Sequence, residues 1–280
     1  MVALLLTLTV GCKKETDKAI PAPAPAVETL CQLKRTSFGM VGESTQYEQD
    51  GNGRTTKIWP YYADDKGKVP TTVNPITITY NAQGLAERFG WSDGTGYDQL
   101  SYTNSALSKI DVFFKNKKVY QYDVTTNAAK QITGMKATSL DPDNFGSGYS
   151  TAYTLDAQGR YTQVEVKDEA GKVFFRTVMT GFESGMKGYY YTWKANGLMI
   201  DPNTPSNQYG YYLPVGNNLR LKDEDYWGYD DAGNFVGLKK ISEWTFARKA
   251  NSNKFAIERI DVEAISKTTD KSLYSYTNCN

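Results

Sequence analysis

The most informative property of this sequence is the complete absence of histidine. Histidine is the commonest metal ligand in proteins and the usual general base near neutral pH, so its absence excludes a Ser-His nucleophile and histidine-based metal sites. A surplus of either charge is also lacking, because 32 Lys and Arg residues stand against 31 Asp and Glu residues. A nucleic-acid-binding protein needs a basic stripe or domain, so we expect no nucleic-acid partner.

Long hydrophobic runs are scarce as well. Val2 to Val10 consists of apolar residues and threonines and ends at Gly11-Cys12. This run is too short to span a bilayer but has the size of a signal-peptide core. A small residue and a cysteine after such a core resemble the lipobox of bacterial lipoproteins. The resemblance implies that residues 1–11 are a signal peptide and that Cys12 is acylated and anchors the chain in the membrane; a hydrophobic N-terminal strand is the alternative.

A spacer follows the predicted lipid-attachment site, over residues 12–30. Pro and Ala alternate from Pro21 to Ala26, a pattern that favours extended polyproline II at about 3.1 Å per residue and acts as a semi-rigid tether. The charged residues Lys13 to Asp17 resemble the surface-export signals of Bacteroidetes-type lipoproteins. We therefore predict an outer membrane lipoprotein, and leave open whether it faces the cell surface or the periplasm.

Cysteine is rare, with three in the chain. If Cys12 carries the lipid, Cys31 and Cys279 remain, and an even remainder in an exported protein points to a disulfide. Such a bridge would join the two ends of a domain that spans residues 31–280. Two free buried thiols are the alternative.

What the sequence does contain, from Cys31 onward, is alternation of apolar and polar residues with a period of two. Ile76, Ile78 and Tyr80 alternate with threonines, and Ile110 and Val112 show the same pattern. The 21 Tyr, 11 Phe and 5 Trp suit pleated, half-exposed surfaces. No stretch shows a convincing amphipathic helix. The chain is therefore predicted to be all-β.

A recurring five-residue turn organises these strands. Asp or Asn stands first and Gly fourth in four copies, each followed by an apolar residue: Asp50–Arg54, Asn81–Leu85, Asp156–Arg160 and Asp230–Asn234, followed by Ile58, Phe89, Val164 and Leu238. The pattern is typical of a type I turn plus bulge between antiparallel strands. Its irregular spacing excludes a solenoid or propeller. We predict a single antiparallel up-and-down meander over residues 31–280 that forms a large curved sheet or a barrel-like structure.

Two of these segments also resemble a known repeat. Tyr47 to Arg54 and Tyr153 to Arg160 are similar to the Tyr-Asp repeats of large bacterial shell and toxin-delivery proteins. Together with the lipobox and tether, the chain resembles Bacteroidetes-type lipoproteins of unknown function that are described as having a porin-like fold. The resemblance implies a strongly curved antiparallel sheet, and it carries over no catalytic residue. Polar strand faces such as Gln163, Glu165 and Lys167 argue against a membrane-spanning barrel.

Two acidic motifs are candidates for chemistry. Asp141 and Asp143 precede Gly146 and resemble the opening of a calcium loop, but Phe145 and Ala152 stand where ligands are expected, so an acidic turn is the alternative. Asp223-Glu224-Asp225 offers carboxylates for glycoside hydrolysis, which requires two carboxyls facing each other across a sugar. We interpret that motif as a solvated loop and predict no cofactor.

Clusters of aromatic residues in the second half of the chain are the candidate binding surface. Such side chains with a polar rim suit sugars and protein partners, and the alternative is a cross-strand ladder that only stabilises the sheet. Within Tyr189–Trp193, Tyr209–Tyr212 and Tyr226–Tyr229 the selected residues are Tyr189, Tyr191, Trp193, Tyr211, Tyr226 and Trp227.

These observations support three hypotheses. The first is a non-enzymatic, lipid-anchored envelope module that binds a glycan, a peptide or a protein partner. The second is a structural or assembly lipoprotein that pairs with a neighbour through sheet edges. The third is a carboxylate-based polysaccharide hydrolase, which would need a cleft with two facing acids.

Overall fold

The computed structural model describes residues 31–38, 43–61, 74–188, 198–201, 212, 214–215 and 219–277. The predicted signal peptide, Cys12, the tether and Cys279 lie outside these residues and stay predictions. Within them, no helix is long and apolar enough to cross a membrane. In the described part of the chain, one helical turn, α1 (Pro142–Phe145), interrupts an otherwise all-β structure.

Sixteen antiparallel strands make up the described fold. In chain order they are β1 (Gln32–Phe38), β2 (Glu43–Gln49), β3 (Thr55–Tyr61), β4 (Ile76–Tyr80), β5 (Ala86–Gly90), β6 (Gly96–Thr103), β7 (Ala106–Phe114), β8 (Lys117–Thr126), β9 (Ile132–Ser139), β10 (Tyr149–Leu155), β11 (Tyr161–Asp168), β12 (Val173–Phe182), β13 (Arg220–Tyr229), β14 (Phe235–Ala250), β15 (Ala256–Glu263) and β16 (Thr269–Thr277).

The strands form a closed barrel in which each one pairs with its neighbours in sequence. The sheet closes where β1 pairs with β16, with Gln32 opposite Thr277. The prediction of an all-β antiparallel meander is confirmed, and its barrel-like form is a complete barrel. Closure leaves no free sheet edge along the described strands.

The up-and-down order gives the barrel two distinct ends. We call the end where β1 begins the N-terminal end; it also carries the turns at Asp50–Arg54, Asn81–Leu85 and Asp156–Arg160. The opposite, distal end carries the hairpins after β11 and β13. Any tether attached before Cys31 therefore joins the barrel at the N-terminal end.

The recurring turn has the predicted hairpin geometry. In Asp156–Arg160 the side-chain Oδ1 of Asp156 accepts the backbone N–H groups of Gln158 and Arg160 at 2.9 Å. Gly159 has a φ of +72°, the left-handed conformation that glycine adopts without strain. The backbone N–H of Arg160 lowers the pKa of Asp156. The side chains of these aspartates close the turns.

Two further copies of the turn carry lysine in place of glycine. Asn127–Gln131 and Asn251–Phe255 make the same pair of backbone hydrogen bonds, and Lys130 and Lys254 have φ values of +62° and +66°. A left-handed lysine is uncommon. The sequence pattern missed these copies because it required glycine at that position.

Apolar side chains point into the barrel. On β10, Thr151 and Tyr153 are buried whereas Ala152 and Thr154 are exposed. On the other strands from β2 to β12, buried residues likewise mark the face that points into the barrel. The resulting core includes Tyr47, Ile58, Ile78, Phe89, Leu100, Leu107, Ile110, Val112, Val119, Tyr122, Ile132, Met135, Tyr161, Val164 and Met179.

Parts of the long β12–β13 connection belong to this core. Leu198, Ile200 and Tyr212 are at most 1% exposed, and Ile200 forms an antiparallel bridge with Pro214. The Tyr212 ring meets Tyr122 of β8 edge-on, with 5.1 Å between centroids. A sixteen-strand barrel is too wide for its wall side chains alone to fill, and Leu198, Ile200 and Tyr212 add apolar side chains to its interior.

The inner wall of β14 and β15 is charged. Arg248 has a side chain only 5% exposed, and its Nη1 lies 3.7 Å from a carboxylate oxygen of Glu183. Arg259 pairs with Asp261 at 2.6 Å, and both guanidinium carbons lie 5.5 Å from the centroid of Phe246. Arg248 and Arg259 thus each have an acidic partner on the inside of the wall.

The outer wall carries cross-strand ion pairs. Lys118 lies 2.6 Å from Asp111, and Arg176 lies 2.7 Å from Glu165. Between β13 and β14, Lys240 bridges Glu224 and Glu243, and the hydrogen bonds from Lys240 and Lys222 lower the pKa of Glu224 to about 2. Ion pairs of this kind contribute little to stability, but they show that the outer surface is suited to water.

A buried carboxyl group fastens the inner connection to the wall. Asp98 on β6 is 3% exposed; Trp91 Nε1 donates to its Oδ1 at 3.0 Å, and the Tyr212 hydroxyl donates to its Oδ2 at 2.9 Å. Burial raises the pKa of Asp98 from 3.8 to about 6. The charged form is therefore disfavoured in the folded state.

This raised pKa predicts a specific dependence of stability on pH. Because the folded protein holds the Asp98 proton more tightly than the unfolded chain, the contribution is fully present below about pH 4 and is lost as pH rises through about 6. The loss amounts to about 3 kcal/mol by linkage. We expect the free energy of unfolding of the wild type to fall across this window relative to that of Asp98→Asn, measured by urea unfolding at each pH. Parallel curves for the two proteins would contradict it.

Candidate functional site

Five aromatic side chains gather at the distal end of the barrel. This distal aromatic cluster is built where β12, β13 and β14 lie side by side: Phe175 pairs with Trp227, and Tyr229 pairs with Phe235 across a hairpin. Trp227 lies 5.6 Å from Phe174, 6.2 Å from Phe175 and 6.1 Å from Tyr229, centroid to centroid. Tyr229 lies 5.5 Å from Phe235. Most of the rings meet edge to face, a favourable arrangement for aromatic pairs.

A glycine makes room for the cluster. At Gly228, a Cβ atom would lie 2.7 Å from Cε2 of Phe235 and 3.2 Å from the Cα of Phe174. Both distances are shorter than ordinary contacts between carbon atoms. The bare backbone at Gly228 thus lets the Phe235 ring lie directly on the strand, between its aromatic neighbours.

The cluster is exposed to solvent despite its apolar character. Trp227 is 39% exposed, Phe235 38% and the adjoining Val236 43%. Most of the large exposed hydrophobic residues in the described chain lie on β13 to β16, which contain three of the cluster's rings. Exposed apolar patches of this kind mark interaction sites more often than single exposed residues do.

Charged and polar groups border the rings. The ammonium group of Lys172 lies 4.4 Å from the centroid of Phe235, within the range of a cation–π contact. The Tyr229 hydroxyl donates to Oδ2 of Asp168 at 3.1 Å. The backbone N–H of Lys172 lowers the pKa of Asp168, so this carboxylate is ionised at neutral pH.

A groove continues from Asp168 along the distal end. It has a volume of about 400 Å³ and lies between β9, β10 and the β11–β12 hairpin, lined by Lys136, Ala137, Thr138, Tyr149, Ser150, Asp168, Glu169 and Gly171. One carboxylate oxygen of Glu169 accepts the backbone N–H of Gly148 at 3.0 Å. Because Asp168 lines the groove and also bonds Tyr229, the groove and the cluster adjoin. This volume is in the range of small-molecule sites.

The structure describes two of the predicted aromatic residues, and these two lie in different surroundings. Trp227 lies in the cluster, whereas Tyr226 donates its hydroxyl to Glu224 at 2.8 Å on the outer wall. The predicted Tyr189, Tyr191, Trp193 and Tyr211 lie outside the described residues. Neither Phe174 nor Phe235 was selected from the sequence. Their positions beside Asp-x-x-Gly turns were the available signal.

The expected solvated loop at Asp223-Glu224-Asp225 is wrong, because these residues lie within β13. Asp223 is 5% exposed and accepts from Arg220. Asp225 accepts from the hydroxyls of Thr177 and Ser242, both at 2.6 Å, while Glu224 points to the outer wall. Successive strand residues point to opposite faces, so these acids do not face one another across a cleft.

The candidate calcium residues make different contacts. Asp141 forms an ion pair with Lys117 at 2.8 Å, and Asp143 is exposed in α1. Among the residues that the structure describes, no three His, Cys, Asp or Glu side chains come together in a way that could hold a metal ion. The arrangement gives no support to a metal site at Asp141 and Asp143.

Comparison with known proteins yields structural likenesses only. No protein-family model matches the sequence, and no curated protein matches it either. A porin-like protein from Bacteroides vulgatus is similar in structure with a TM-score of 0.46 and 8% identity, over 88% of this chain and 99% of that one. A porin-like protein from Bacteroides uniformis has a TM-score of 0.42 and 10% identity, over 89% and 97%. Likeness at this level says nothing about ligand or activity.

Proposed function

We propose that this protein is a lipid-anchored, non-catalytic barrel of the bacterial outer membrane that binds a glycan at its distal end. The observation that carries the proposal is the distal aromatic cluster, in which Trp227 and Phe235 remain more than one-third exposed. Aromatic faces stack well on the apolar faces of sugar rings, and polar groups beside them fix orientation. Asp168 and Lys172 supply such groups.

The position of the cluster fits a tethered binding protein. β1 begins at the N-terminal end, so a lipid on Cys12 and a spacer over residues 12–30 would hold that end toward the membrane. The distal end would then point away from the membrane, toward ligands. Surface and periplasmic orientations both satisfy this arrangement.

The charged outer wall favours a barrel that stands in water beside the membrane. Pairs such as Lys118 with Asp111 and Arg176 with Glu165 would face lipid in an embedded barrel. A charge on the lipid-facing surface costs about 2–4 kcal/mol near the bilayer midplane. From β2 to β12, apolar side chains face inward and charged side chains face outward, which is the reverse of the pattern for a membrane-spanning barrel.

Binding without catalysis is supported by the positions of the acids. The carboxylates once considered for hydrolysis, Asp223 to Asp225, alternate across β13 and are hydrogen-bonded to neighbouring side chains. Near the cluster, Asp168 bonds Tyr229. In the part of the chain that the structure describes, these carboxylates hold neighbouring side chains in place and do not form a facing acid and base.

The test is glycan binding by Trp227→Ala. We expect the mature protein, solubilised in detergent, to bind at least one glycan on an immobilised array, and Trp227→Ala to weaken that binding at least about tenfold, because a stacking aromatic is lost. Trp59→Ala is the matched control, since Trp59 is also partly exposed but lies on the outer wall, bonded to Glu48. Equal losses in both variants, or no glycan bound by folded protein, would refute the proposal.

A further inference from the structure

We propose that the groove beside the distal aromatic cluster is a second sugar subsite, and that the ligand is an extended neutral oligosaccharide lying across the β11–β12 hairpin. This inference rests on the proposed function and adds the ligand's charge and length to it. Its starting point is that Asp168 belongs to both places: it lines the groove and accepts the hydroxyl of Tyr229.

The two parts meet at Asp168 and together extend over six neighbouring strands. Strand order around the barrel is β9, β10, β11, β12, β13 and β14. The groove occupies the first three strands and the cluster the last three. Neighbouring strands lie about 4.8 Å apart, so the path from β9 to β14 is about 24 Å long. A single sugar cannot cover that distance, whereas an extended chain can.

The lining of the groove suits a polyhydroxy ligand. Ser150 and Thr138 present hydroxyl groups, which donate and accept hydrogen bonds, and Lys136 presents donors only. Asp168 and Glu169 present acceptors. Sugar hydroxyls need donors and acceptors at close intervals, and the groove offers both.

The charges along the path cancel. Lys136 and Lys172 stand against Asp168 and Glu169, two cations against two anions. An anionic polymer would meet both carboxylates, and a cationic one both ammonium groups, at a desolvation cost with no net attraction. Balanced charge therefore favours a neutral sugar chain over polyuronate or poly-amino sugar.

A peptide fits the path less well. Extended peptides commonly bind by adding a strand to a free sheet edge, and the closed barrel offers none along its described strands. The groove also contributes few apolar side chains that could receive those of a peptide. The structure thus favours a sugar chain, and peptide binding becomes an outcome that the experiment can reveal.

The experiment compares short and long neutral oligosaccharides on the mature protein in detergent, by titration calorimetry. The probes are disaccharides and longer oligomers of each neutral glycan recognised on the array. We expect affinity to rise at least about tenfold from disaccharide to the length that spans both parts. Ser150→Trp, which fills the groove, should remove that gain without changing disaccharide binding.

Ser101→Trp is the matched control, because Ser101 is an exposed outward residue of β6, away from the groove. It should leave both affinities unchanged. Oligomers of uronic acid and of glucosamine should bind at least about tenfold more weakly than the neutral chain.

The outcomes separate this inference from the function it rests on. If Trp227→Ala abolishes binding while chain length and Ser150→Trp have no effect, the cluster binds glycan and the second subsite is wrong. Tighter binding of a charged oligomer overturns the neutral class. If only peptides bind, and Trp227→Ala abolishes that binding, both the proposed oligosaccharide ligand and the proposed glycan-binding function are refuted.

Discussion

Tyr212→Ala is expected to lower the free energy of unfolding by about 3–5 kcal/mol, the range for removal of a large buried aromatic side chain. Tyr212 is 1% exposed and joins three separate strands. Its ring meets Tyr122, its hydroxyl donates to Asp98, and its carbonyl accepts the Tyr153 hydroxyl at 2.6 Å. The substitution leaves a cavity and removes a donor from a buried carboxyl group. Urea unfolding followed by tryptophan fluorescence measures the change.

Tyr212→Phe separates the two contributions. It keeps the ring against Tyr122 and removes only the donor to Asp98, so we expect a loss of about 1.5–3 kcal/mol, the value of a hydrogen bond to a charged group. The loss should shrink toward acid pH, because the hydrogen bond then goes to a neutral carboxyl group and contributes less. If both Tyr212 variants unfold at the wild-type midpoint, the β12–β13 connection is not part of the core.

Tyr212 also shows where inference from sequence stops. The Tyr209–Tyr212 cluster was interpreted as part of a candidate binding surface, with a cross-strand ladder as the alternative. The structure buries Tyr212 instead. Its partners Asp98, Tyr122 and Tyr153 lie far away in sequence, and no local pattern encodes such contacts.

The fold was predictable because its signals are local. Period-two alternation identifies strands, and Asp50–Arg54 or Asp156–Arg160 identifies the reversal between them; both depend on residues only a few positions apart. Closure of the sheet depends on β1 meeting β16, with Gln32 opposite Thr277. Nothing local distinguishes that pairing from an open edge, so the sequence could not decide between curved sheet and barrel.

The candidate site was only partly predictable for the same reason. Trp227 stands out in sequence beside Tyr226 and Tyr229, but Phe174 and Phe175 join it through the β12–β13 pairing. A long connection separates those strands. The prediction of a loop at Asp223–Asp225 failed for a related reason. Three acids in a row suggest exposure to solvent, but two of them face inward. Their partners are Arg220, Thr177 and Ser242.

The second large prediction concerns the seam between β1 and β16, where Cys31 and Cys279 are predicted to form a disulfide. Cys31 is 1% exposed at the start of β1. Its neighbour Gln32 pairs with Thr277, two residues before Cys279. The register thus places the start of β1 beside the end of β16, and the bridge that the cysteine count predicts stays a prediction. Cys279 itself lies outside the described residues.

Replacing both cysteines, as Cys31→Ser with Cys279→Ser, is expected to lower the free energy of unfolding by about 5 kcal/mol. A bridge over so long a loop removes that much chain entropy from the unfolded state. The wild type should lose the same stability in reductant, whereas the double variant should be insensitive to it, because the seam then relies on β1–β16 hydrogen bonds alone. Urea unfolding with and without reductant, together with a thiol count on the unfolded, non-reduced protein, decides the matter. Two reactive thiols and a midpoint that ignores reductant would show that the barrel closes without a covalent link.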